Sequence, residues 1–197
     1  MARTLAIKIV RELGIARPVD LERRGVPRAE LYRLLQEGAV ERQGRGLYVA
    51  TRHAYTTDHA LAQVAKRIPA GVVCLLTALR FHGLTTQSPP EVWVALPIKA
   101  RKPSLEYPRL RVARFSGASL SEGIETHRIE GVDVRIYSPA KTVADCFKYR
   151  NKIGIDVAVE ALRDFTRLHR GGANELARFA GICRVTRVMQ PYLDSIM

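Results

Sequence analysis

Residues 4–50 hold three short amphipathic segments, each closed by glycine or proline, and a basic, glycine-centred hairpin signal follows at once. In the first segment Leu5, Ile9 and Leu13 recur every four residues, which places them on one helix face, and Gly14 ends the run. Arg17-Pro18 opens the second, with Pro18 suited to a first helical position. Val19 and Leu21 face inward there, and Arg23-Arg24 close it before Gly25. Val26-Pro27 opens the third, where Leu31, Leu34 and Leu35 form the i, i+3, i+4 set that packs on the first two. Gly38 stops it. Val40-Glu41-Arg42 and Leu47-Tyr48-Val49 then flank a turn at Gln43-Gly44-Arg45-Gly46, whose glycines permit the positive φ that tight turns require. Three mutually packed helices followed by a basic hairpin are the parts, in order, of a winged helix-turn-helix.

The face of the third helix opposite its leucines carries Arg28, Ala29, Tyr32, Arg33 and Gln36, the residues free to leave the protein. Arginine can bond guanine in bidentate fashion and glutamine can bond adenine. Residues in the first turn of such a helix usually meet base edges. Arg28, Tyr32, Arg33 and Gln36 are therefore the expected groove contacts, and Arg42 and Arg45 on the hairpin the expected backbone or minor-groove contacts. A formal net charge of +13 and a sequence pI near 10.2 favour a polyanionic partner. The basic residues are spread along the chain with no cationic tail, so the charge belongs to folded surfaces. The competing reading is a protein-interaction module with solvated arginines.

Beyond a short linker at Thr51–Thr57, Asp58 caps an expected helix to Ile68, and Val72 to His82 is mostly apolar and helical at its end. Strand signals follow at 92–96, 110–115, 125–129 and 132–137, the last two joined by the hairpin dipeptide Glu130-Gly131. Helical patterns then open at Ser138-Pro139 and run over 156–168, 174–180 and 184–195, the last disturbed at Pro191. The expected fold class is α+β: a winged helix-turn-helix over 1–52, then a mixed α/β domain over 53–197 with a small sheet flanked by helices. Lys99, Arg101 and Lys102 sit in a proline-bounded loop and are candidates for supporting phosphate contacts, which Lys141, Lys148, Arg150 and Lys152 would extend.

Other chemistry is poorly supported. Ser138-Pro139-Ala140-Lys141 has the S-x-x-K spacing of serine acyl enzymes, but the companion motifs are missing and Pro139 makes a helix cap the better account. Glu91, Glu122, Glu125, Glu130 and Asp133 flank the strands without the acid-x-Lys pair of a metal-dependent nuclease. Among His53, His59, His82, His127 and His169 there is no i, i+4 pair and no C-x-x-C beside them, so they read as isolated and neither metal nor cofactor is expected. Trp93, between Val92 and Val94, reads as a packed sheet residue. Cys74, Cys146 and Cys183, odd in number and in apolar stretches, fit a reducing cytosol and not a disulfide scaffold. The N-terminus lacks the apolar core of a signal peptide, and the longest apolar run is too short to span a bilayer, so a cytoplasmic location is expected.

The order of these parts resembles the AbiEi-type antitoxins of type IV abortive-infection toxin–antitoxin systems. The N-terminal likeness rests on Gly25-Val26-Pro27, Leu31, Leu34-Leu35, Gly38 and Arg45-Gly46-Leu47-Tyr48-Val49. The likeness further on rests on Thr77 to Leu84, Glu91 to Ala95 and Ser138 to Asp145. The resemblance implies a bacterial, non-enzymatic repressor of its own operon that binds repeated double-stranded operator DNA. It also implies a second domain that counteracts a nucleotidyltransferase toxin, without a stable complex between the two. Adequate specificity from so small a reader needs two copies on paired half-sites, supplied by a dimer or by cooperative monomers.

Overall fold

A computed structural model describes residues 2–196, which divide into two compact units. The first comprises residues 1–69 and 127–134, the second residues 70–126 and 135–197. The fold is mixed α and β.

The first unit opens with α1 (Ala2–Leu13), α2 (Pro18–Glu22) and α3 (Arg28–Gln36). Hairpin strands β1 (Val40–Gly44) and β2 (Leu47–Ala50) follow, then α4 (His59–Arg67). The spacing of apolar residues decides the packing: Ala6, Ile9 and Val10 of α1, Leu21 of α2 and Leu31 and Leu34 of α3 meet Val26, Val40 and Tyr48 in one core. Leu35 is only partly buried at its edge. The antiparallel β1–β2 pair sets Val40 opposite Ala50 and shifts register between Arg42 and Gly44, so the turn contracts to Arg45-Gly46 from the four residues the sequence suggested. The hairpin is pinned to the α1–α2 connection by reciprocal bonds, Ala16 N to Tyr48 O at 2.8 Å and Tyr48 N to Ala16 O at 2.9 Å.

This unit reaches beyond the 1–52 boundary drawn from sequence. Asp20 at the start of α2 holds Lys66 of α4 at 3.0 Å and Arg17 at 3.3 Å. Thr51 donates to the Gly38 carbonyl at 2.5 Å, so the 51–57 segment is tied at its start. The 127–134 hairpin tip also belongs here because Gly14 and Gly131 let two backbones meet. A Cβ on Gly14, at φ +63, would lie 1.5 Å from the Glu130 carbonyl oxygen. Gly14→Ala is expected to cost at least the ~1–2 kcal/mol of a left-handed backbone, with displacement of the tip in addition. Thermal melting of the full chain reads it, and a shift equivalent to less than about 0.5 kcal/mol would contradict the close approach.

The second unit begins with β3 (Val72–Val73), α5 (Leu75–Phe81), β4 (Val92–Pro97), β5 (Leu110–Phe115) and α6 (Ala118–Ser121). Strands β6 (Ile124–Ile129) and β7 (Val132–Tyr137) follow, with residues 124–126 and 135–137 in this unit and 127–134 in the first, and then α7 (Pro139–Lys148), α8 (Arg150–Ile153), α9 (Ile155–Leu168), α10 (Ala173–Cys183) and α11 (Thr186–Ile196). The sheet order is β5-β4-β3-β7-β6, with β3 antiparallel to β4 and parallel to β7, and β4 parallel to β5. The β6–β7 turn takes positive φ at both Glu130 and Gly131, the geometry that matches a two-residue hairpin to strand twist. Helix α7 is the hub of this unit: Ala140, Val143, Ala144 and Phe147 join Tyr137, Ala158, Leu162, Phe165 and Phe179 in the core. Ser138 caps it, accepting from Lys141 N at 3.4 Å, which is the cap reading of the S-x-x-K string. Trp93 is buried in the sheet, with the Arg111 guanidinium 4.6 Å from its ring centre. Among the described residues no helix is long and apolar enough to cross a membrane.

Candidate nucleic-acid interface

Helix α3 sorts its residues into two faces. Leu31 and Leu34 are fully buried, whereas Arg28, Ala29, Tyr32, Arg33 and Gln36 are all exposed. Arg28, Tyr32 and Gln36 follow at four-residue steps with Arg33 alongside, so the four predicted contacts share one outward stripe. Pro27 sets the start of that stripe by entering the helix with extended backbone, φ −61 and ψ 145. Arg42 and Arg45 are exposed on the hairpin of the same unit. Arg42 Nε donates to the Gly44 carbonyl at 3.3 Å, and the Arg45 carbonyl accepts from Arg67 Nη1 at 2.6 Å, which braces the turn.

Both helix arginines have acidic neighbours. Arg28 lies 3.5 Å from Glu22 and Arg33 lies 3.2 Å from Glu30. The Arg28–Glu22 pair joins two exposed groups and is worth about 0–1 kcal/mol, so that guanidinium can be surrendered to a stronger acceptor at small cost. Glu30 was not singled out in the sequence. It is buried beneath the stripe, with Oε1 lacking a hydrogen-bond partner, and its Oε2 is what holds Arg33.

The remaining predicted cations divide. Lys99, Arg101 and Lys102 are exposed in the loop after β4, in the second unit. Lys148 and Lys152 line a cavity of about 640 Å³ in that unit, beside Arg114 and Arg184. Lys141 extends no surface. It is wholly buried and its Nζ lies 2.5 Å from Asp145 Oδ2, because α7 turns this face into the core. The cysteines are buried free thiols. Burial raises Cys74 and Cys146 well above the ordinary thiol range and pushes Cys183 up to about 12, which removes the reactive thiolate.

The reading of all five histidines as isolated needs correction. His53 Nε2 and His59 Nδ1 lie 2.8 and 2.6 Å from one oxygen, Glu130 Oε2. The second oxygen, Oε1, accepts from Thr56 N at 2.6 Å and Thr56 Oγ1 at 2.8 Å. Burial alone would raise this carboxyl, but the bonds from Thr56 and the two histidines outweigh it and lower it to about 2. The three residues share no sequence spacing; only the docking of the hairpin tip assembles them.

Residues 4–51 match the family model described as "Transcriptional regulator, AbiEi antitoxin". No curated protein matches the chain. The matched residues are α1 to α3 and the β1–β2 hairpin, the elements that carry the exposed stripe. The resemblance read from Gly25-Val26-Pro27 through Val49 therefore stands: in its N-terminal segment this chain is similar to the AbiEi antitoxins, which are transcriptional regulators.

Proposed function

We propose that the first unit is a winged helix-turn-helix that reads operator DNA, and that the chain represses its own operon as the antitoxin of a type IV system. The observation that carries this reading is the sorted α3. Its leucines are buried in the unit while Arg28, Tyr32, Arg33 and Gln36 stand in one exposed stripe. In this reading α3 enters the major groove, where its polar tips meet base edges, and Arg42 and Arg45 hold the flanking backbone. Lys99, Arg101 and Lys102 add phosphate contacts from the second unit. The net charge of +13 supplies the non-specific attraction on which sequence choice is built.

The second unit is proposed to carry the antitoxic activity against a nucleotidyltransferase toxin, without enzymatic chemistry of its own. Its α7 lysine and aspartate are buried in the core and its thiols are inert, so they supply no exposed nucleophile. The protein acts in the cytoplasm on paired operator repeats, as a dimer or as cooperative monomers. A reporter driven by the DNA upstream of this gene tests the repressor reading. Expression of the chain is expected to lower reporter output, and truncation to residues 70–197 to abolish the effect. Undiminished output with full-length protein present would contradict autorepression.

A further inference from the structure

The assembly of His53, His59 and Glu130 has the features of a built ligand set. Their donor atoms all lie within 4.8 Å of one another. The Glu130 side chain is only 2% exposed, and those of His53 and His59 are 13% and 16% exposed. Thr56 occupies Oε1 with two hydrogen bonds, so the carboxylate presents a single oxygen to the two imidazoles. Tyr55 packs edge-on against both rings, with centroids 5.2 Å from His53 and 4.6 Å from His59, and restricts their planes.

A second observation lies behind His59. Its remote nitrogen, Nε2, is 3.0 Å from Gln63 Nε2. Gln63 is 2% exposed and its Oε1 has no hydrogen-bond partner. An amide can be turned end for end with no change of shape. As it stands, Gln63 donates to His59 Nε2, which keeps the imidazole proton on Nδ1 beside Glu130. Turned, its oxygen accepts a hydrogen bond from Nε2–H, which in the neutral ring leaves the Nδ1 lone pair aimed at Oε2. Two lone pairs held that close require a proton or a metal ion between them.

We propose that His53 Nε2, His59 Nδ1 and Glu130 Oε2 bind one divalent transition-metal ion, with zinc the best match. Two imidazoles and a carboxylate suit borderline ions of this class, and three protein ligands leave a fourth position for water. Thr56 on the carboxylate and Gln63 on the imidazole are the outer partners that orient such ligands. Ligand bonds of about 2.0–2.2 Å set neighbouring donors roughly 3.3 Å apart, so Oε2 must draw back by about 0.5 Å from His53 Nε2, now at 2.8 Å, and about 0.7 Å from His59 Nδ1, now at 2.6 Å. No proton is lost: each imidazole proton moves to the nitrogen away from the metal, and in His59 the Nε2–H then donates to the oxygen of the turned Gln63 amide. The ion joins segments distant in sequence, residues 53–59 and the tip at 130, so binding stabilises the first unit. The proposal is independent of the DNA-binding reading.

The test uses the full chain with no affinity tag, stripped with chelator and titrated with Zn2+ by calorimetry, with thermal melting in parallel. One ion per chain and a rise in melting temperature are expected. His53→Gln and Glu130→Gln, checked for native circular dichroism, are expected to weaken binding by about tenfold or more. Co2+ bound to the unmutated chain provides a readout free of any folding defect, through the visible absorption of a four- or five-coordinate site. No heat and no melting shift at about tenfold molar excess of Zn2+ would overturn the proposal and leave the cluster a hydrogen-bonded tether. Equal binding by both variants would overturn it too, because the ion would then be held elsewhere.

Discussion

Replacing Asp145 with alanine is expected to destabilise the chain by about 3–5 kcal/mol. Lys141 and Asp145 are 0% and 1% exposed and are joined at 2.5 Å. The ammonium also lies 4.1 Å from the centre of the Tyr137 ring and 4.9 Å from that of Phe115. Cys183 Sγ donates to the other carboxylate oxygen at 3.2 Å. Burial raises the Asp145 carboxyl to about 6, against the pull of the Lys141 charge, so the pair carries a desolvation cost even when intact. Removing Asp145 strands the ammonium in the core against the Tyr137 and Phe115 rings. Replacing both, as Lys141→Met with Asp145→Leu, is expected to recover most of the loss, because apolar substitutes carry no desolvation cost. Urea unfolding of these variants measures this through the midpoint and slope. A single Asp145→Ala loss below about 1 kcal/mol would contradict the account of a dry, mutually dependent pair.

The double substitution Arg28→Ala, Arg33→Ala should weaken operator binding by about 1–3 kcal/mol for each arginine–base pairing removed, and should relax sequence choice at those positions. Both side chains are exposed and each is held only by an ion pair, at 3.5 Å to Glu22 and 3.2 Å to Glu30. Loss of Arg28 should change folding stability little, whereas loss of Arg33 also strips the buried Glu30 carboxylate of its partner, so thermal melting of each single variant is read beside binding to separate a reading role from a structural one. Arg42→Ala with Arg45→Ala gives the contrast. If these cations meet phosphates as proposed, removing them should weaken binding to all sequences about equally and reduce the salt dependence by roughly one unit of slope per phosphate released. Quantitative gel shifts on operator and scrambled DNA distinguish the two patterns. Unchanged binding by the Arg28/Arg33 double variant would remove α3 from the interface and favour a protein-interaction module.

Local signals explain which parts of the molecule are legible in the sequence. Helices α1 to α3 are bounded by Gly14, Pro18, Gly25, Pro27 and Gly38, each acting within a few residues, and the structure places the helix limits there. The outward stripe of α3 follows from the same periodicity. Short elements inside continuous apolar runs are another matter. The two-residue β3 at Val72–Val73 merges with the start of α5, and a buried strand cannot be told from buried helix by spacing alone. Helices α6 and α8 span four residues each, too few to show a period. Lys141 read as surface because lysine usually is; its partner four residues on, Asp145, on an otherwise apolar helix was the available clue. For His53, His59 and Glu130 no clue existed, since the carboxylate is 71 residues from the nearer histidine and arrives only when the hairpin tip docks. The reach of the first unit to residue 69 was hidden for the same reason.

The most direct test of the central claim is a binding titration of the purified chain on the DNA immediately upstream of its gene, beside scrambled DNA of equal length, at two salt concentrations. Tight binding that prefers the upstream DNA at both salts is the predicted result, because the proposed base contacts from α3 would survive when counterion release is suppressed. Equal affinity for both DNAs, vanishing together at the higher salt, would contradict it, and would mean that the charge of +13 acts without sequence choice.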